Sequence, residues 1–394
     1  MSTLTVLTND QVKSVLDNLT LEQFHGFQAA LTKALHEYST DAEAGGNGAY
    51  YQPPRIHYSN PKTGATSLFM PSIGPTGMGV KVVTLSTPAK DGEKAGDEPR
   101  PVIRPTGAVT VFAPDGSPKG FLHAGALTAF RTALATSCLT RLRSRVENVV
   151  VFGAGKQAYW HLRQALLLKG ATIRNVTAIN RSRKSAADMI DSLAKISPDV
   201  KSREGWTSTD MEVLAPGDED YDSRTAQSLL GADVIICCTP STVDLFSGDL
   251  LTSEEGRKKT RLIAAVGSYT PHMRELPEKL LLQATGATPG DPVNWGSIVA
   301  DTIHGVITEA GEIIQANIPA SQLIEFGEMV TLHDPASETK GGEARARWLA
   351  EGNVVFKCVG LGLMDLVAST HLIDLTAELG LGTQIEGFDS VDTA

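Results

Sequence analysis

Residues Asn148–Arg183 constrain the fold more than any other stretch of this chain. A short apolar run, Val149–Phe152, reads as a buried strand, and it stops at Gly153-Ala154-Gly155-Lys156-Gln157-Ala158. A helical pattern follows, and a second apolar run, Val176–Ile179, ends at Asn180-Arg181. Strand, glycine turn, helix, strand is the first half of a dinucleotide-binding unit. Gly153 lets the chain turn tightly, and Gly155, without a side chain, lets the backbone approach a pyrophosphate. The helix start behind it offers free N–H groups and the positive end of a dipole to that anion. Ala158 stands where a third glycine is common, and it is small enough for close helix–strand packing. An ordinary tight turn shares the glycines; the two flanking elements favour the dinucleotide.

The end of the second strand selects the cofactor. Sites for NAD commonly place Asp or Glu there to hold the ribose 2′-hydroxyl. This chain has Asn180-Arg181-Ser182-Arg183-Lys184 and no acid. Arginine forks match phosphate oxygens, so the expected cofactor is NADPH (NADP+) rather than NADH. Arg181 is the first contact and Arg183 its helper; Lys184 reads as a solvated surface cation. The expected cofactor contacts are therefore Gly153, Ala154, Gly155, Lys156 and Gln157 in the turn and Asn180, Arg181, Ser182 and Arg183 at the second strand's end. Doubly wound sheets bind ligands at the carboxyl ends of their strands. Thr239 and Pro240 join the set on that ground, with Val266 and Gly267 beside them.

The bulk properties narrow the partners. At 394 residues the chain is long enough for two or three domains. A net charge of −10 recommends neither nucleic acid nor an anionic membrane. The four cysteines, Cys138, Cys237, Cys238 and Cys358, form no C-x-x-C pair, and no His/Cys/Asp cluster has metal spacing, so reduced thiols and no metal are expected. The start, MSTLTVLTNDQ, lacks the apolar core of a signal peptide, and no segment is apolar enough to span a bilayer; a cytoplasmic protein is expected.

Thr8-x-x-Gln11 and Thr20-x-x-Gln23 fit capping boxes, the second opening a helical stripe of Leu21, Phe24, Phe27, Leu31, Leu35 and Tyr38 that Gly45–Gly48 breaks. Strand-like pieces follow at Arg55–Tyr58, Ala65–Met70 and Gly79–Leu85, and a hairpin at Val109–Phe112 and Gly120–Leu122. Pro88–Pro105 and Ser337–Glu343 read as loops, and Pro198–Arg224 as an acidic surface insertion. A helix near Ala126–Leu142 precedes the glycine turn; Ala232–Cys238, Leu262–Val266 and Val299–Ala300 continue the strands, and Asn353–Thr370 reads as a last helix packed on the first domain. The expected fold class is α/β: a Rossmann-type doubly wound NAD(P)-binding domain over 131–344, and an α+β substrate and dimerisation domain of helices and an antiparallel sheet over 1–130 with 345–394.

Eight pieces then carry a family likeness: PPRIHYS (Pro53–Ser59), FMPSIGPTGMGVKVVT (Phe69–Thr84), LTAFRTALATS (Leu127–Ser137), VFGAGKQA (Val151–Ala158), GADVIICCTPS (Gly231–Ser241), AAVGSYTP (Ala264–Pro271), ADTIHGVITEAGE (Ala300–Glu312) and VFKCVGLGLMDLVA (Val355–Ala368). In order and spacing the chain resembles the ornithine cyclodeaminase/mu-crystallin family from about Arg55 to about Ala368. The resemblance implies a homodimer, with the first domain supplying the dimer sheet, and NAD(P)-dependent hydride transfer at a C–N bond beside a carboxylate. It implies that Arg55, Lys81 and Arg131 gather around that carboxylate as the catalytic set. Chemistry agrees: two Arg forks can orient a small imino or amino acid, and a partly buried lysine can give a proton to nitrogen. By residue type alone, Lys81 could equally be a solvated strand-edge lysine, Arg131 a surface cation and Arg55 a structural ion pair.

One departure matters. Cyclodeaminases resembling this chain carry an Asp two residues after the loop glycine, where this chain has Val266-Gly267-Ser268-Tyr269. A phenol does not ionise near neutral pH. A second acid, found in some cyclodeaminases before the MP dipeptide, is also replaced, by Leu68-Phe69. The expectation is an NADPH-dependent reductase of a carboxylate-bearing, cyclic imine, resembling the ketimine reductase branch. The rivals are a cyclodeaminase that recycles its nicotinamide and a non-enzymatic NADPH-dependent binding protein. His57, His123, His161 and His272 lie near candidate elements, where packing or capping is the commoner role. Cys237 and Cys238 read as strand core.

Overall fold

Thr8 and Thr20 each open a helix by a reciprocal pair of bonds. The Gln11 N–H donates to Thr8 Oγ1 at 3.3 Å while the Thr8 N–H donates to Gln11 Oε1 at 2.9 Å. The same pair recurs between Gln23 and Thr20 at 3.2 and 2.9 Å. These helices, Asn9–Asp17 and Leu21–Asp41, belong to a computed structural model that describes residues 3–41, 50–86, 106–286, 293–330 and 342–388. The expectations at Gly45–Gly48, at Pro88–Pro105 and over most of Ser337–Glu343 fall outside the described residues.

The chain divides into a first unit, Met1–Leu19, Asp41–Arg131 and Leu361–Ala394, and a second, Thr20–Thr40 and Thr132–Gly360. The first contains a seven-stranded sheet: β1 (Thr3–Leu7), β2 (Ile56–Ser59), β3 (Ala65–Gly74), β4 (Gly77–Ser86), β5 (Thr106–Phe112), β6 (Pro118–His123) and, late in the chain, β15 (Thr383–Glu386). Its order is β15-β1-β6-β5-β4-β3-β2. Pairing is antiparallel except between β1 and β6, which run parallel, so the sheet is mixed where a wholly antiparallel one was expected. The N-terminal strand enters too far along the chain from β6 to be its hairpin partner. Register aligns Met70, Lys81, Val109 and Leu122 in one row, all of them buried. The helix Gly362–Glu378 covers this face, packing on β3 to β6. Alternation then puts Phe69, Ile73, Met78 and Phe121 on the opposite, exposed face.

The second unit is the doubly wound part. Its strands are β7 (Asn148–Phe152), β8 (Asn175–Ile179), β9 (Asp210–Leu214), β10 (Val234–Cys237), β11 (Leu262–Ala265), β12 (Ile298–Ala300), β13 (Leu323–Glu325) and β14 (Val354–Lys357). The order is β13-β12-β14-β11-β10-β7-β8-β9, and every pairing is parallel. Strand order reverses beside β7, the position where open α/β sheets bind ligands. Val150, Phe152, Ile235, Ile263 and Val355 belong to one apolar cluster of this unit.

Two sequence expectations are corrected. Pro198–Arg224 is not an insertion. It holds the helix Pro198–Glu204, the edge strand β9, and the start of the helix Tyr221–Gly231. An edge strand needs few apolar residues, and within β9 only Leu214 is fully buried. Asn353–Thr370 is likewise not one helix. All four residues of β14 are buried in the parallel sheet, and the helix starts at Gly362. A strand covered on both faces reads as a continuous apolar run, which periodicity alone cannot separate from helix. The strand β14 and the helix Leu21–Asp41 thus group with the parallel sheet, although they lie within 345–394 and 1–130.

Candidate functional site

In the first unit, Lys81 comes from the centre of the mixed sheet and not from its edge. Lys81 Nζ lies 2.6 Å from Asp365 Oδ2, with both side chains almost wholly buried. Arg131, at 4% exposure, donates from Nε to Asp365 Oδ1 at 3.0 Å, and its Nη1 meets Met364 Sδ at 3.5 Å. One carboxylate therefore gathers two cations. Burial pulls the Lys81 ammonium down to about 8; Asp365 opposes that shift, while the positive charges of Arg131 and, more weakly, Arg55 add to it. Arg55 is half-buried, and its charge reaches Lys81 more weakly than those of Asp365 and Arg131. The segment before Arg55 is fixed by Gln52, which donates to Ser72 Oγ at 2.5 Å and accepts from the Leu363 N–H at 2.7 Å.

Sequence reasoning missed Asp365. A signal was present, since it is the one acid in the apolar run Leu361–Val367, where an ionised group needs a partner. Its partners lie far off in sequence, 234 positions away for Arg131.

In the second unit the glycine turn has the geometry that a pyrophosphate requires. Gly153 has φ 110°, and a Cβ there would sit 2.9 Å from the Cys238 carbonyl oxygen. Gly155 caps the helix Lys156–Lys169 with no side-chain hydrogen bond, and a Cβ on it would meet nothing within 4 Å. The first N–H groups of that helix are thus unclaimed by any cap. Gln157 Oε1 is buried without a hydrogen-bond partner among the described residues. Ala154 is half-buried, Lys156 exposed, and Ala158 fully buried against the sheet. These residues fit a dinucleotide phosphate.

Beyond β8, Asn180 Nδ2 donates to the Ser182 carbonyl at 2.9 Å, and Ser182 Oγ caps the helix Arg183–Ala194. Arg183 is engaged. Its Nε donates to Asp218 Oδ1 at 3.0 Å and its Nη2 to the Val213 carbonyl at 3.0 Å, and it holds the Asp218 carboxyl below its usual range. Lys184 pairs with Asp188 at 2.7 Å. Arg181 is exposed and has no hydrogen-bond or ion-pair partner among the described residues. The two arginines are therefore not equivalent: Arg181 is available, and Arg183 must leave Asp218 to help.

Thr239 and Gly267, at the ends of β10 and β11, both donate to one buried carboxylate, Glu275, which sequence reasoning also missed. Pro240 is exposed beside Thr239, and Val266 donates its N–H to the Cys237 carbonyl at 2.9 Å. Tyr269 is half-buried.

The histidines take modest roles. His161 Nδ1 donates to the Gln157 carbonyl at 2.7 Å, so Nε2 accepts from the Thr136 hydroxyl at 3.0 Å. Burial drops its pKa to about 4 and keeps it neutral. His123 accepts from the Gly125 N–H at 3.0 Å, while His57 and His272 are exposed. Cys237 is buried in β10, and burial pushes its thiol far up. Among the described residues there is no group able to hold a metal ion and no helix long and apolar enough to cross a membrane.

Comparison with known proteins agrees with this architecture. The Delta(1)-pyrroline-2-carboxylate reductase of one Bacillus cereus strain is 24% identical over 326 residues, 82% of this chain and 85% of that one. The ketimine reductase mu-crystallin of Mus musculus is 26% identical over 270 residues, 68% of each. Among solved structures, Thermococcus litoralis Delta(1)-pyrroline-2-carboxylate reductase in complex with NADH and L-proline has a TM-score of 0.67 at 19% identity, covering 97% of this chain and 100% of that one. The profile of the ornithine cyclodeaminase/mu-crystallin family matches residues 17–378, and the chain belongs to that family.

Proposed function

We propose that this chain is an NADPH-dependent reductase of a small carboxylate-bearing imine, cyclic in form. The observation that carries the reading is the buried set Lys81, Asp365 and Arg131. Two cations on one carboxylate leave positive charge in excess, which suits a substrate carboxylate. Arg131 and Arg55 orient that anion through their forks, so that the C=N carbon is presented in one pose. Reduction of C=N needs a proton at nitrogen, and Lys81, with its pKa near 8, is the donor. Asp365 keeps Lys81 charged and aimed. The bound nicotinamide supplies the hydride. The relatives named as reductases of pyrroline-2-carboxylate and of ketimines support this class of reaction.

NADPH is favoured over NADH by the unengaged Arg181 fork and by Asn180 where an acid would hold a 2′-hydroxyl. Tyr269, in place of a carboxylate after Gly267, argues against the cyclodeaminase alternative.

The test is loss of the NADPH absorbance band with pyrroline-2-carboxylate and piperideine-2-carboxylate, with NADH in parallel. Consumption of NADPH in preference to NADH is expected. Arg181→Ala should lower that preference by about 10-fold or more, the loss of a charged hydrogen bond, and Arg183→Ala by less. No consumption of either cofactor, with ammonia released from ornithine or lysine, would replace this reading by the cyclodeaminase.

A further inference from the structure

Beneath the carboxyl ends of β10 and β11 lies a set of buried charges that the reaction above does not use. Glu275 has no exposed surface. Its Oε1 accepts from the Thr239 N–H at 2.6 Å and the Thr239 hydroxyl at 3.1 Å. Its Oε2 accepts from the Gly267 N–H at 2.7 Å and the Ser268 N–H at 3.2 Å. One carboxylate thus joins the loops after two neighbouring strands. Those loops touch: a Cβ on Gly267 would lie 2.3 Å from both the N and O of Thr239.

Ser268 is gripped from its other side. Its hydroxyl donates to Glu312 at 2.7 and 2.6 Å, and Lys357 Nζ donates to its carbonyl at 2.6 Å and its hydroxyl at 2.5 Å. Lys357 also pairs with Glu312 Oε1 at 3.1 Å, both side chains being about 1% exposed. Burial pushes the Glu275 carboxyl up, and Lys357 with the Thr239 and Gly267 donors pulls it back.

A buried carboxylate is costly, and an apolar side chain would fill this space more cheaply. Only an acceptor, however, can align four donors from two loops. Topology says which part of a ligand those loops meet. The turn after β7 suits the pyrophosphate and the end of β8 the adenosine ribose, whereas β10 and β11 continue the sheet on the other side of β7.

We propose that Glu275 is a positioning residue for the nicotinamide half of the dinucleotide, fixing Thr239–Pro240 and Val266–Gly267 as one preorganised lip that Lys357 and Glu312 brace through Ser268. This rests on the dinucleotide reading of the glycine turn.

The experiment uses the full chain and two ligands. NADPH reports both halves of the site; adenosine 2′,5′-bisphosphate reports the adenosine half alone. Glu275→Gln puts an NH2 group against either the Thr239 N–H and hydroxyl or the Gly267 and Ser268 N–H pair, so at least one N–H loses its acceptor whichever way it turns. NADPH should then bind about 10-fold more weakly or worse, with reduced enhancement of nicotinamide fluorescence, as expected when buried donors lose their acceptor. The bisphosphate should bind as it does to the unaltered chain. Unchanged NADPH affinity overturns the proposal. So does equal weakening of both ligands alongside a lowered melting temperature, which is the mark of a merely structural residue. If Glu275→Gln does not fold, Ser268→Ala removes the braced hydroxyl and keeps the N–H donors. It should show the same split between ligands in weaker form, and no split overturns the proposal. If the unaltered chain binds neither ligand, the dinucleotide reading falls first and takes this inference with it.

Discussion

Lys81 stands in a row of apolar side chains, Met70, Val109 and Leu122, and its ammonium is answered by Asp365. That environment sets a pH dependence. Only the protonated amine donates, so kcat/KM for imine reduction should be level below about 8 and fall by about tenfold per pH unit above it. Stability moves the other way. The unfolded chain keeps the lysine proton up to about 10.5 while the folded chain loses it near 8, so this residue's contribution to stability rises with pH between those values. Lys81→Arg keeps the charge but cannot give up a proton; turnover should drop roughly 10²–10⁴-fold and the alkaline limb should vanish. A retained limb would assign the titration to another group. Asp365→Asn removes the influence that holds the Lys81 pKa up, so the limb should shift to lower pH. It also leaves two buried cations unanswered, a loss of about 3–5 kcal/mol by urea denaturation. The lysine and the arginine were singled out only through the family resemblance, and the carboxylate between them was not singled out at all. A buried cation announces that an anion exists, and nothing local says which of 45 acidic residues it is.

The element that was legible in full is the β7 turn, because its requirements are all local: φ at Gly153, an open approach at Gly155, a small Ala158. Its two glycines do different work, and substitution should separate them. Gly155 has an extended backbone, φ −89° and ψ −173°, and open space where a Cβ would go. Gly155→Ala should therefore change stability by no more than about 0.5 kcal/mol, while its methyl group occupies the approach of the pyrophosphate and weakens NADPH binding about tenfold or more. Gly153→Ala forces a Cβ into the left-handed region and against the Cys238 carbonyl, and should lose about 1–3 kcal/mol before any ligand is added. Thermal melts without nucleotide, followed by fluorescence titration with NADPH, check both. A Gly155→Ala chain that binds NADPH normally would remove the turn from the cofactor site. The elements misread, β9 and β14, fail for opposite physical reasons. β9 is an edge strand too polar to stand out, and β14 is covered on both faces and lacks alternation. Both depend on where neighbours lie, which is a tertiary fact.

At the scale of the whole molecule, one face of the first unit's sheet is apolar and exposed among the described residues. Register puts Ile56 opposite Phe69 and Ile73 opposite Met78, and Pro71, Val80 and Phe121 fall on the same face of the sheet. Of these, Ile56 is 63% exposed, Phe121 47% and Ile73 42%. An apolar sheet face of this kind marks an interaction site, and a two-fold pairing of identical faces is the commonest way to bury one. We therefore expect two chains to associate face to face through this sheet, giving a particle of twice 41.8 kDa in sedimentation. Each chain carries a formal charge of −10, so repulsion must be outweighed by apolar burial, and added salt should leave the dimer intact or tighten it. Phe69→Glu together with Ile73→Lys should yield monomers. The Gly153–Ala158 turn lies in the other unit, so those monomers should still bind NADPH with unaltered affinity. A double variant that sediments as a dimer would show that another surface joins the chains. A monomeric unaltered chain would leave this face to some other partner.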